Sequence, residues 1–142
     1  MPASNHSLCR NEPSPFAFVV DDDLVICRVI TLLLAKLGVD ALSFHSAQSA
    51  LAALDAQPPH IVFLDVALAQ SDAVDMIKGL SAAKYDGIVQ VVSGASPVLL
   101  ETVVRIGVRE GLRLQPPLQK PFKARTIRRA VAPLLANSPV AA

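Results

Sequence analysis

Runs of consecutive apolar residues alternate along this chain with segments in which apolar residues return every third or fourth place. Phe16–Val20 (FAFVV), Ile61–Leu64 (IVFL) and Ile88–Val92 (IVQVV) are of the first kind, short and rich in β-formers. Such runs predict strands covered on both faces. Val39–His45 predicts a weaker strand, and Leu112–Leu118 a fifth that Pro116 and Pro117 interrupt. Helical patterns lie between them. Residues 24–37 set Ile26, Val29, Ile30, Leu33, Leu34 and Leu37 on one stripe, with Gly38 as a stop signal. Ser46 can cap a helix through Leu54, before Pro58 and Pro59 break the chain. Asp72 can cap a helix over Val74, Ile77 and Leu80. A fourth helix covers 97–110, ended by Gly111, and a fifth covers 123–135.

Five strands that each precede a helix predict an α/β fold, a doubly wound (βα)₅ parallel sheet in a single domain. The domain is expected over 16–136. Residues 1–15 are polar and hold three prolines, which predicts a disordered leader, and 137–142 predict a short tail. Ligands of such sheets bind at the carboxyl ends of the strands, so those ends are where chemistry is expected.

The first strand ends in Asp21, Asp22 and Asp23, the third in Asp65 and the fourth in Ser93-Gly94. Lys120-Pro121-Phe122 follows the fifth. In a parallel sheet these groups converge on one edge. Clustered carboxylates repel one another and need a cation to stay ionised together. All-oxygen donors favour a hard ion, and Mg²⁺ takes one or two carboxylates plus waters and phosphate oxygens. A metal and a lysine neutralise charge on a transferring phosphoryl group, for which one carboxylate serves as nucleophile and a serine hydroxyl as donor. Asp23 also reads simply as the cap of the first helix. Asp65 has no such simple reading, because it follows four apolar residues, where a charge is costly unless it faces an open end.

Charge and cysteine content narrow the function classes. The 142 residues carry 13 Lys and Arg against 12 Asp and Glu, so no global basic field exists to hold nucleic acid. Cys9 and Cys27 make neither a disulfide framework nor a four-ligand zinc site. No uncharged apolar run reaches the ~18 residues of a membrane span, since Lys36 and Asp65 interrupt the best candidates. The start of the chain shows no signal-peptide pattern. A cytoplasmic protein without membrane contact is expected. His6, His45 and His60 share no metal-ligand spacing and receive no role.

Together, FAFVVDDD with Arg28 downstream, IVFLD, VVSGAS and QKPF resemble the receiver domain of two-component response regulators over about Phe16 to Leu135. The resemblance implies a flavodoxin-like sheet of order 2-1-3-4-5. It implies phosphorylation of Asp65, and a Mg²⁺ pocket formed by Asp21, Asp22, Asp65 and the backbone carbonyl of Ala67. Ser93 and Lys120 would contact the phosphoryl group, and Lys120-Pro121 would be cis. The phosphoryl donor would be a sensor histidine kinase or a phosphotransfer protein, and the domain would catalyse its own phosphorylation and dephosphorylation. Output would pass to a downstream protein, or to a second copy, through helices 97–110 and 123–135.

The sequence departs from the family pattern in places. Ala69, Gln70 and Ala73 stand where a Pro-Gly turn and a later Gly are usual, and Pro117 stands where the fifth strand commonly carries an aromatic switch. The ending GLRLQPPLQKPF is similar to receivers found beside cyclic-di-GMP phosphodiesterase domains. Val25 and Leu32 lie off the first helix's core stripe, on a side that can meet a kinase or phosphotransfer helix. Arg125, Arg128 and Arg129 form a basic face on the last helix.

A pseudo-receiver acting as a structural interaction domain is the alternative. The complete set Asp21, Asp22, Asp65, Ser93 and Lys120 speaks against it. A phosphatase with an aspartyl nucleophile commonly needs a second acid two residues on, where Ala67 stands. A dinucleotide-binding enzyme is disfavoured because no Gly-x-Gly-x-x-Gly follows the first strand.

Overall fold

The computed structural model describes residues 14–67, 72–94 and 97–135. Five strands alternate with five helices: β1 (Phe16–Val20), α1 (Leu24–Lys36), β2 (Asp40–Phe44), α2 (Ala47–Ala53), β3 (Ile61–Asp65), α3 (Asp72–Ala82), β4 (Ile88–Ser93), α4 (Pro97–Arg109), β5 (Arg113–Gln119) and α5 (Ala124–Leu135). The sheet is parallel throughout, in the order β2-β1-β3-β4-β5. This is the expected flavodoxin-like topology.

The continuous apolar runs follow from this layering. Successive strand residues point to opposite faces. Ala17 and Val19 of β1, with Ile61 and Phe63 of β3, pack under α1 and α5 beside Ile30, Leu34, Ile127 and Val131. Phe18, Val20, Val62 and Leu64 face the other way, against α2, α3 and α4 through Ala50, Met76, Ile77, Leu80 and Val103. Both faces of the central strands are therefore apolar.

Two details differ from the sequence expectation. Val29 is 40% exposed, and Cys27 takes its place with Ile30 and Leu34 on the buried side of α1. At ~100° per residue, Val29 lies about 200° from Cys27 and shares the outer face with Val25 and Leu32. Asp72 is the first residue of α3 rather than its cap, and with Asp75 it puts negative charge at the helix's positive end. The leader 1–13, the tail from 136, and the departures at Ala69 and Gln70 lie outside the described residues.

Helix ends obey their local signals. Ser46 caps α2 by accepting from Ser49 N–H. Gly38 stops α1 at φ +82°, and the Val39 N–H returns to the Leu34 carbonyl at 2.9 Å, a left-handed closure that glycine makes without strain.

The two prolines of β5 are accommodated at the sheet edge by a register irregularity between Gln90 and Val92. Gln90 is 1% exposed in the middle of β4. Its Nε2 donates to the Pro116 carbonyl (2.8 Å) and the Val91 carbonyl (3.2 Å). Gln115 Nε2 donates to Gln90 Oε1 (2.8 Å) and to the Ala130 carbonyl of α5 (2.9 Å). A side-chain amide thus occupies the stretch of ladder where prolines offer no N–H.

Candidate functional site

The strand order brings the ends of β1, β3, β4 and β5 to one edge of the sheet. Asp21, immediately after β1, extends the ladder through its N–H to the Phe44 carbonyl at 3.0 Å. Its side chain is held at both oxygens: Oδ1 accepts from Asp23 N–H at 2.9 Å and Oδ2 accepts from Lys120 Nζ at 3.1 Å. Asp65 closes β3, and its Oδ1 accepts from Ala67 N–H at 3.1 Å. Lys120 Nζ also lies 3.5 Å from Asp65 Oδ2. One ammonium therefore bridges two carboxylates, which are 2% and 3% exposed.

Asp22, by contrast, is exposed. Carboxylate oxygens of Asp21, Asp22 and Asp65 lie within 4.8 Å of one another. Asp23 is turned away: its Oδ1 accepts from Val25 and Ile26 N–H and caps α1.

Ser93 is the last residue of β4 and is 4% exposed. Its carbonyl accepts from Lys120 N–H at 2.8 Å, which ties the lysine's backbone to the serine's strand. The Lys120-Pro121 bond is cis. Gly94 leaves room for the lysine stem, since a Cβ there would sit 3.0 Å from Lys120 Cδ. Ala95, two residues beyond Ser93, lies outside the described residues.

Residues 17–132 match the sequence model of the response regulator receiver domain. The chain belongs to this family. The receiver resembles a CheY-like receiver domain protein from Methanospirillum hungatei JF-1, with a TM-score of 0.75 at 15% identity, over 87% of this chain and 95% of that one. It also resembles the receiver domain of NtrX from Brucella abortus, with a TM-score of 0.71 at 28% identity, over 86% and 99% of the two chains. A response regulator receiver protein from Burkholderia phymatum gives a TM-score of 0.67 at 29% identity, over 87% and 97%. Against a longer NtrX chain the match spans only 28% of that chain. No curated protein matches.

Burial and mutual charge set the electrostatics of the receiver's acidic edge. Burial raises the pKa of Asp65 above its ordinary value. The Ala67 N–H works against this, the charge of Asp21 adds to it, and Lys120 partly offsets it. Burial disfavours the Lys120 ammonium, yet its hydrogen bond to Asp21 and the charges of Asp65 and Asp21 outweigh burial and raise its pKa. A set of three carboxylates with one exposed member fits a small hard cation that keeps part of its water shell.

Two neighbours of Asp21 carried no functional reading in the sequence. Cys27 Sγ donates to the Asp21 carbonyl at 3.2 Å, and His45 Nδ1 lies 3.2 Å from the same oxygen. Their signal was positional: Cys27 is one turn into α1, and His45 directly follows the strand beside β1.

Proposed function

We propose that this receiver accepts a phosphoryl group on Asp65 in a Mg²⁺-dependent reaction and signals through altered protein contacts. The observation that carries the reading is the bridge of Lys120 across Asp21 and Asp65 at 3.1 and 3.5 Å, with Asp22 beside them. A buried nucleophile, a cation for the phosphoryl oxygens and a metal-binding carboxylate pair stand together. Asp21, Asp22, Asp65 and the Ala67 carbonyl would hold Mg²⁺, which supplies charge neutralisation for the phosphoryl oxygens.

In the proposed step, an Asp65 carboxylate oxygen attacks phosphorus. The P–N bond of a phosphohistidine on a histidine kinase or phosphotransfer protein breaks, and the departing imidazole takes up a proton. Lys120 balances charge on the phosphoryl oxygens, and the Ser93 hydroxyl donates to one of them. Hydrolysis reverses the state of the site: water attacks phosphorus, the P–O bond to Asp65 breaks, and inorganic phosphate leaves. Val25, Val29 and Leu32 of α1, the helix that follows Asp21–Asp23, are exposed and offer an apolar face to the donor protein. α4 and α5 form the face for the downstream partner.

The test is incubation with Mg²⁺ and a small phosphodonor, followed by intact mass. One base-labile phosphate is expected on the parent and none on Asp65→Asn, whose amide keeps the shape but is no nucleophile. An equal yield in the variant would move the acceptor elsewhere, and no phosphate on either would favour a structural pseudo-receiver.

A further inference from the structure

The charges of this receiver are divided along the chain. Every Asp and Glu precedes Gly111, while Arg113, Lys120, Lys123, Arg125, Arg128 and Arg129 all follow it. Lys120 is committed to the acidic edge, and Arg113 donates to the Asp86 carbonyl at 2.9 Å. The others gather at α5. Ile127, Ala130 and Val131 turn to the core, so helical geometry sends Arg125, Arg128 and Arg129 outward.

Lys123, Arg125 and Arg129 line a shallow groove of about 600 Å³ with Pro117, Leu118 and Phe122. Among the described residues Lys123, Arg125 and Arg129 take part in no salt bridge. The groove's cations therefore pair with no carboxylate among the described residues, and its floor contains half-buried apolar groups.

Backbone chemistry, symmetry and charge select the occupant. Pro117 has no N–H to offer along the outer edge of β5, so addition of a strand is disfavoured there and side chains must supply recognition. A second copy placed on this groove by two-fold symmetry would set cations against cations. Nucleic acid would find only about three cations, a small counterion-release term, in a chain of net charge +1. An acidic peptide with an apolar side chain satisfies both the charge and the floor.

We propose that the groove between the outer edge of β5 and the first turns of α5 docks an acidic protein segment. Its carboxylates meet Arg125 and Arg129, and an apolar side chain rests on Leu118 and Phe122. The inference rests on the reading of α4 and α5 as the partner face, and it is independent of phosphoryl transfer at Asp65.

The probe is a fluorescein-labelled synthetic peptide of mixed Asp, Glu and Leu, compared with a version carrying Lys for every acid and with a labelled DNA duplex. Anisotropy and amide shift mapping on the full chain give the readout. The acidic peptide should bind, weaken with salt, and move amides within 117–129. Arg125→Glu/Arg129→Glu should bind at least about tenfold more weakly, and Arg125→Gln/Arg129→Gln should fall between.

Phosphate yield on Asp65 should match the parent in both variants, which shows that they are folded. A parent that takes no phosphate yet binds the peptide would sink only the phosphoryl-transfer reading. Equal binding of acidic and basic peptides, shifts elsewhere, or full affinity in the double Glu variant would overturn the groove proposal. So would tighter binding of the duplex through these residues, or a dimer in sedimentation that the Glu variant abolishes.

Discussion

Asp65 is a buried carboxyl whose ionised form costs stability. Burial, named first among the causes, raises its pKa above the ordinary 3.8. The folded state therefore binds this proton more tightly than the unfolded chain does. The resulting stability is complete below the ordinary value and is lost as pH rises through the raised one. Above that window an ionised, partly compensated carboxylate is a cost that an asparagine does not carry. In the metal-free receiver, the Tm difference between Asp65→Asn and the parent should grow in favour of the variant as pH rises from about 4 to 7. Thermal melts across that range check it; a constant difference refutes it. Asp22 is the complementary case. It is exposed and makes little packing, so Asp22→Ala should leave the melting temperature of the metal-free protein nearly unchanged. Mg²⁺ affinity should nonetheless fall by about tenfold or more, because one of three carboxylates is lost. Titration of both metal-free proteins with Mg²⁺ decides it.

At the scale of elements, β5 carries two prolines and a buried amide network. Pro117 stands where an aromatic would rotate, and the proline ring permits no large rotamer change. Its carbonyl neighbour at Pro116 is instead tied through Gln90 to Gln115 and on to Ala130 of α5. Gln90→Leu should cost about 2–4 kcal/mol, because it leaves buried partners on β5 unsatisfied. Urea denaturation measures it, and a loss under about 0.5 kcal/mol, the usual range of inert surface substitutions, would show that the network is dispensable. With β5 so fixed, a bound phosphate mimic should change hydrogen exchange after Ser93 and along α4, from Pro97 to Arg109, with little change at 112–118. Changes confined to 112–118 would show that the fifth strand still carries the switch.

The whole molecule separates its charges and its apolar surface by side. The sheet's carboxyl edge gathers negative charge, α5 and the β5 edge gather positive charge, and α1 shows an apolar face. Among the described residues no helix is long and apolar enough to cross a membrane. Because the acidic edge is a liability without a cation, Mg²⁺ should stabilise the entire receiver by mass action, raising Tm as its concentration exceeds Kd. The rise should vanish in Asp21→Asn/Asp22→Asn. Calorimetry with and without Mg²⁺ tests this, and an equal rise in parent and variant would place the ion elsewhere.

The sequence by itself determined the order and type of the elements, because strand runs apolar at every position can exist only inside a covered parallel sheet. It also determined which residues end those strands, so the group Asp21, Asp22, Asp65, Ser93 and Lys120 was legible as a set. Local capping chemistry allowed Asp23 to be read as a helix cap before any contact was known. Only the tertiary structure decided what depends on contacts distant in the chain. It joined Lys120 to Asp21 across 99 residues and buried Gln90 against the carbonyl of a proline. It put Cys27, not Val29, inside, because the stripe of α1 is set by where the sheet meets the helix. It gathered Lys123, Arg125 and Arg129 with Leu118 and Phe122 into one groove. Periodicity fixes which face of an element is apolar, but packing alone fixes what that face meets.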